Sequence, residues 1–437
     1  MRWLVRLLCF TIVASSTLPV VSNSAGLEFQ AGSAAVVLQP PDGISLAGYG
    51  GGARRHWLGE QNRFAHYLTA SKGAHDEVRS KALVLQFGKA KLAIVSVDLV
   101  IPSASMHREL VRRLADIGLN EASIILAATH THSGPSSYVQ NPILEFFALD
   151  RYVPEVWQGM TDAVERSIRE ADSHLVPARV AVGTRRIPGV TSNRRSHVPL
   201  DSVMSMIRID RVDGTPLATM LNFPVHPTMM GGKNLLLSAD LAGGIERAFY
   251  RKSGSPALFM NGAEGDVAAS GPRGEFGLIE TLGEQIAGEA FLLWKSLVPV
   301  LPTSFRLIRL DADVGPASLN ILPCLKLDIG SGKWTPALSD WPTRVSLTGF
   351  SIDAHAFVAV PGEPTSAIGN AMHDAGTRVG FSTTSILGLS NDYMGYILPK
   401  EDYLKGGYES CVSFYGPSLG ENIHGATVLL LDALVAH

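Results

Sequence analysis

The 437 residues carry 37 Lys and Arg against 40 Asp and Glu, a formal charge of −3 with His neutral. That near-neutral balance, without a long basic run, argues against a nucleic-acid-binding surface. Three cysteines are too few for a disulfide-dense scaffold, and they are poorly spaced for a zinc site made of thiolates. A chain of this length buries a large core, in one big domain or two.

The first segment reads as a leader. Arg2 and Arg6 precede an apolar stretch from Leu7 to Val21, and small polar residues run to Ala25. This is the layout of a secretory signal peptide over 1–25, with cleavage near Ser24 or Ala25. The stretch is short for a membrane span and contains Ser and Pro, and no other segment is apolar enough to cross a bilayer. The expectation is a secreted or periplasmic protein whose catalytic domain is 26–437. Cys324 and Cys411 would then remain, as one disulfide in an oxidising compartment or as two buried thiols.

Strand and helix patterns alternate through most of the chain. Leu83–Phe87 and Leu92–Val97 read as strands across a Gly88-Lys89 turn. Met106 to Leu114 is amphipathic, with Met106, Leu110, Val111 and Leu114 on one side. Helical spacing recurs at Trp157, Met160, Val164 and Ile168, and again at Ile279, Leu282, Ile286 and Leu293. The alternation predicts an α/β fold. Val298 to Thr303 is Pro-rich, a boundary or a surface crossing. From Asp311 to Thr348 the pattern weakens, as expected of an irregular or short-stranded region, a rim over a cleft. No internal repeat is visible in the sequence.

Chemistry-bearing residues sit where apolar strands end. Ser123–Ala128 leads into Thr129-His130-Thr131-His132-Ser133-Gly134-Pro135. If the chain is still extended there, both imidazoles face one way, towards one metal or one substrate; a hydrogen-bonded structural pair is the alternative. Ala218–Phe223 leads into Pro224-Val225-His226-Pro227, and Ala257–Met260 into Asn261-Gly262-Ala263-Glu264-Gly265-Asp266. Ala354–Val360 leads into Pro361-Gly362-Glu363-Pro364, where Glu363 is a ligand or a helix-capping carboxylate. Pro364 suits a helix's first turn and Gly376 its end. Ser385–Leu389 leads into Ser390–Tyr396, whose Tyr393 and Tyr396 are packing rings or ligands. In open α/β sheets, ligands gather beyond the carboxyl ends of strands. Two His and one Glu form a well-known zinc set that suits iron as well.

Taken together and in order, these segments resemble the neutral/alkaline ceramidase family. The resemblance runs from Gly48-Tyr49-Gly50 and Gly73–Asp76 through Val95–Leu99, Thr129–Pro135, Asn193-Arg194, Val225–Pro227 and Ser238–Asp240. It continues over Gly265–Val267, Pro361–Glu363, Asn391–Tyr396 and Tyr408 to Tyr415–Pro417. It implies an α/β catalytic domain with two sheets flanked by helices. It also implies a zinc ion held by His130, His226, Glu363 and Tyr396, with His132, Arg194 and Tyr408 facing the substrate carbonyl. Zinc-activated water would attack an amide or ester carbonyl, with His132 as general base. Asp98 and Asp266 either orient the ligating imidazoles or are turn or cap residues.

Two departures bear on the substrate. Where ceramidases carry a serine after Gly-Asp-Val, this chain has Ala268, with Ser270 two residues on. It also ends at His437, before the C-terminal immunoglobulin-like domain that ceramidases carry. The sequence therefore predicts an exported zinc hydrolase of N-acyl or ester bonds in small or lipid-like molecules, presented at a membrane surface. The alternatives are a metal-dependent phosphate or lactone hydrolase and a non-catalytic lipid- or glycan-binding relative.

Overall fold

The computed structural model describes residues 21–22, 28–195, 199–318, 338 and 341–435. Of the expected leader only Val21–Ser22 falls inside this range; its backbone pairs with Phe305 and Ser304. No helix among the described residues is long and apolar enough to cross a membrane.

One order of elements occurs three times: three strands, a helix, a fourth strand parallel to the third, and a closing helix. The first unit is β1 (Phe29–Val37), β2 (Arg79–Phe87), β3 (Ala90–Val97), α1 (Ala104–Arg113), β4 (Ile124–Ala128) and α2 (Pro154–Ser173). The second is β5 (Val176–Arg186), β6 (Val203–Arg211), β7 (Pro216–Phe223), α3 (Asp240–Ser253), β8 (Ala257–Asn261) and α4 (Phe276–Ser296). The third is β9 (Ser304–Asp313), β10 (Arg344–Ile352), β11 (His355–Ala359), α5 (Ser366–Val379), β12 (Thr383–Leu387) and α6 (Leu419–Val435). The sequence hides this repeat because apolar burial constrains pattern and volume more tightly than identity.

Units one and two join through β1 and β5 into an eight-stranded sheet, ordered β8-β7-β6-β5-β1-β2-β3-β4. Unit three makes a second sheet, β9-β10-β11-β12. The sheets face each other across one apolar layer, in which Phe29, Leu85 and Met220 meet Phe305, Phe350 and Phe357. The helices cover the outer faces. Fully burying one such side chain is worth ~1.5–3 kcal/mol, and this layer fixes the sheets against each other. The architecture is the expected one, two sheets flanked by helices.

Local signals explain most boundaries. The Ser103 hydroxyl caps α1 by accepting from the Met106 amide, and Arg112 and Arg113 occupy its last turn. The α4 stripe Ile279, Leu282, Ile286 and Leu293 is buried as its spacing requires. One expectation needs correction, and two open readings are decided. Gly376 lies inside α5, where a β-carbon would stand 1.7 Å from Thr384 Oγ1; the helix ends at Gly380, with φ of 113°. The weak pattern after Asp311 includes true strand, since β9 runs to Asp313 and β10 starts at Arg344, paired residue by residue. The intervening 319–337 lie outside the described residues. The Pro-rich segment is a crossing, held by mutual backbone bonds between Val300 and Val180.

The three fourth strands end at one place. The Asn261 amide donates to Thr129 O at 3.2 Å, Gly388 N to Asn261 O at 3.0 Å, and Ala128 N to Leu389 O at 3.1 Å. Loops from all three units therefore converge there.

Candidate metal centre

His130 follows β4 by two residues, and the chain is no longer extended: its φ is 69°. The two imidazoles of His-x-His thus meet by a left-handed turn and not by strand alternation. Such strain in a non-glycine residue persists only where the surroundings over-determine it. Here the His130 amide donates to Leu99 O at 3.0 Å and its Nδ1 to Val100 O at 2.5 Å, both carbonyls just beyond β3. With Nδ1 as donor, Nε2 of the neutral ring is an acceptor. It lies 3.3 Å from His132 Nε2, the rings edge to face at 87°.

His226 follows β7, and its amide and Nδ1 both donate to Val267 O, at 3.0 and 3.1 Å. Its Nε2 is 3.2 Å from Glu363 Oε2 and 3.3 Å from the Tyr396 hydroxyl. Glu363 follows β11 and caps nothing; the residue at the α5 start is Thr365. Glu363 and Tyr396 are direct neighbours in a short parallel pairing of Glu363–Pro364 with Tyr396–Ile397. The carboxylate is split in use. Oε1 accepts from the Tyr393 hydroxyl at 2.8 Å, while Oε2, 3.5 Å from His130 Nε2, has no hydrogen-bond donor. His130, His226 and Glu363 are all buried, and their facing atoms lie within 4.8 Å of one another.

Burial, then the Arg194 charge, lower His226 to about 3. Burial, then His130 and His226, take His132 well below the usual histidine range. Burial alone would raise Glu363, but the two imidazoles and the Tyr393 bond outweigh it and hold the carboxyl well below its ordinary value. Burial and then Glu363 keep the Tyr396 phenol protonated. Neutral imidazole acceptors and an ionised oxygen thus face one point. An unpaired buried acceptor costs ~1–3 kcal/mol or more, and a divalent cation with nitrogen and oxygen ligands removes that cost. The residues fit a metal.

Arg194 is held by its amide to Asp266 O at 2.7 Å, and its guanidinium reaches Gly265 O, the Tyr396 hydroxyl at 3.4 Å and Glu409 at 3.2 Å. Tyr408 meets this group ring to ring, 5.8 Å from Tyr396, and stands at the rim with 62% of its surface exposed. All seven residues singled out in the sequence are thus in one neighbourhood.

Asp98 and Asp266 do other work than expected. Asp98 accepts from Lys81 Nζ and the Arg79 amide. Asp266 accepts from the Ser366 amide and hydroxyl and from Asn193. Backbone carbonyls orient the imidazoles instead. Tyr393 was undervalued as a packing ring, since its spacing from Tyr396 says nothing of the carboxylate it meets. Arg54, fully buried, donates to the carbonyls of Ala47 and His132 and fixes the second histidine. Gly48, with φ of 80°, leaves room for that ring: a β-carbon there would lie 2.2 Å from His132 Nδ1. Glu264 is buried without a partner for either oxygen, and burial and then Glu363 raise it well above the carboxylate range.

Comparison with known proteins places this geometry. Residues 62–269 match the family described as neutral/alkaline non-lysosomal ceramidase, N-terminal. The neutral ceramidase of Mycobacterium tuberculosis is 28% identical over 192 residues, which cover 39% of this chain and 30% of that protein. That of Pseudomonas aeruginosa is 24% identical over 442 aligned residues, covering 79% of this chain and 65% of its own. The matches therefore span less than two thirds of these relatives' own length. The crystal structure of the Pseudomonas aeruginosa neutral ceramidase superposes with a TM-score of 0.79 at 21% identity, over 93% of this chain and 74% of that one. A second solved structure, a ceramidase complexed with C2, gives 0.79 at 19% identity.

Proposed function

We propose that the chain is a divergent member of the neutral/alkaline ceramidase family and an exported, zinc-dependent hydrolase of N-acyl amide or ester bonds. Residues 1–25 act as the export signal and 26–437 as the catalytic domain. The observation that carries this reading is the orphaned Glu363 Oε2 facing two imidazole acceptors in a buried cup.

His130, His226, Glu363 and Tyr396 would hold the cation. When bound, it supplies a Lewis acid for the carbonyl and lowers the pKa of water towards ~7. His132, uncharged and beside His130, takes the proton that the attacking water loses and returns it to the leaving amine or alcohol. Arg194, against the Tyr396 hydroxyl, offers fixed positive charge to the developing oxyanion, and Tyr408 at the rim adds a hydroxyl donor; each such donor is worth ~10²–10³ in rate.

Ala268 bears on the substrate. It sits in the short ladder of Val267–Ala269 with Thr191–Asn193, bridged to His226. The ladder is regular through Ala269, so Ser270 is carried past that place. Ceramide itself is then a poor substrate, and the acyl amide or ester cleaved is one that needs no hydroxyl there. The same alanine favours a second reading, a lipid-binding relative without turnover.

The test is metal analysis of the purified protein with a panel of N-acyl, ester and phosphate substrates. Expected are one zinc per chain and turnover of an amide or ester. His130→Ala and His226→Ala should lose metal and activity together; full zinc occupancy in both variants defeats the assignment. Bound metal with no turnover of any substrate favours the binding protein. Gain of ceramide cleavage in Ala268→Ser would show that this position alone blocks it.

A further inference from the structure

Trp57 and Leu58 are adjacent, and 80% and 92% of their surfaces face solvent. They are not isolated. The Arg55 guanidinium lies 5.6 Å from the Trp57 ring and 4.1 Å from that of Phe146. Phe146 is 5.1 Å from Phe147 and 6.3 Å from Tyr67, all three exposed. A contiguous apolar patch of this kind marks an interaction surface.

The patch is fastened to the wall of the metal centre. Arg55 donates to Gly50 O at 2.8 Å and to Phe146 O, and Gly48 N donates to Ala148 O at 2.7 Å. Tyr49, between those glycines, sets its ring 5.0 Å from that of His132, tilted by 57°. Charge on the same rim is positive. Arg55, and the exposed Lys72 and Lys233, have no carboxylate partner among the described residues. Of the nearby acids, Glu155 is paired with Arg63, Glu60 meets the His66 ring and Glu145 accepts from the Asn141 amide, so three cations without a carboxylate partner face two carboxylates without a Lys or Arg. Lys72 and Lys233 belong to this rim because Lys72 N bonds Leu235 O, and Gly232 packs on Ala53 and Tyr49.

We propose that this patch docks the mouth of the metal centre onto an anionic lipid surface. Exposed aromatic and aliphatic tips enter the headgroup boundary, as such side chains do at membrane interfaces. The unpaired cations meet lipid headgroups, each worth ~1 kcal/mol near an anionic leaflet. The proposal rests on the centre acting on a lipid-like amide or ester. Vesicle binding needs neither metal nor turnover, so loss of one claim is distinguishable from loss of the other.

The experiment is cosedimentation of the full protein with vesicles of phosphatidylcholine, alone or mixed with phosphatidylserine. Expected are binding to the mixed vesicles that salt weakens, a ~10-fold or greater loss in Trp57→Ala/Leu58→Ala, and loss of the anionic preference in Lys72→Glu/Lys233→Glu. Phe147→Ala gives an independent arm should the double variant fold poorly. Absence of binding by the parent protein, or undiminished binding by both apolar variants, overturns the proposal. So does a solution dimer that Trp57→Ala/Leu58→Ala dissolves, which would make the patch a self-interface.

Discussion

Two buried charged clusters, one between the first two units and one where all three units meet, are built in opposite ways. In one, Lys81 Nζ reaches Asp98 at 3.0 Å and both oxygens of Glu246 at 2.8 and 2.7 Å, while the Arg79 and Phe259 amides donate to the remaining acceptors. Burial would discharge Lys81, but the two carboxylates outweigh it. The cluster carries its own cation and ties β2, the end of β3 and α3 together. In the other, His130, His226 and Glu363 present acceptors to one another and leave an oxygen unpaired. The protein's own cation closes the first; the second is open, and a cation from outside would complete it.

The largest way to break this contrast is Glu363→Gln. Turnover should fall by ~10³-fold or more with the cation lost, while the metal-free variant melts no lower than the metal-free parent, because an unpaired charge has gone. Metal content and a melting curve read both; a sharp loss of metal-free stability would make Glu363 a structural residue. Lys81→Met should do the reverse. It strands two buried carboxylates and costs ~3–5 kcal/mol of folding stability, yet leaves metal content per folded chain unchanged, as denaturant unfolding and metal analysis would show. Tyr393→Phe frees Glu363 Oε1 and should weaken metal affinity ~10–100-fold, measured by chelator competition, with stability nearly untouched. The smallest effect is on pH. His226 is lowered to about 3 in the metal-free fold, against ~6.5 when unfolded. The unfolded chain therefore binds the extra proton between those values, and stability is present above ~6.5 and lost as pH falls, at up to ~1.4 kcal/mol per unit. Glu363 acts in the same direction at lower pH. Unfolding midpoints of the metal-free protein between pH 7 and 5 check this, and a flat profile counts against it.

The candidate ligand set was legible in the sequence because His130, His226 and Glu363 each follow an apolar strand, where an α/β sheet presents its loops. His130, His226 and Glu363 needed only that rule and their chemistry to be singled out. Tyr396, Arg194 and Tyr408 needed the family resemblance, since a lone tyrosine or arginine carries no positional signal. The sequence leaves Tyr393 as a packing ring or a ligand, and Arg54 carries no signal in it. Their roles depend on atoms distant in the chain, Glu363 in the first case and the His132 carbonyl in the second. Asp98 is claimed by Lys81, which it shares with Glu246, a pairing no local pattern shows.

Composition and hydrophobic period by themselves determined the α/β class, part of the strands and helices, and the places where polar groups leave the sheet, because these follow from local burial and backbone geometry. The threefold repetition of the unit was decided only in three dimensions. So were the left-handed turn at His130 and the choice of which carboxylates are closed and which stay open. A hydrogen bond or a missing one is a fact about two atoms brought together by the whole fold, and no single stretch of chain contains both.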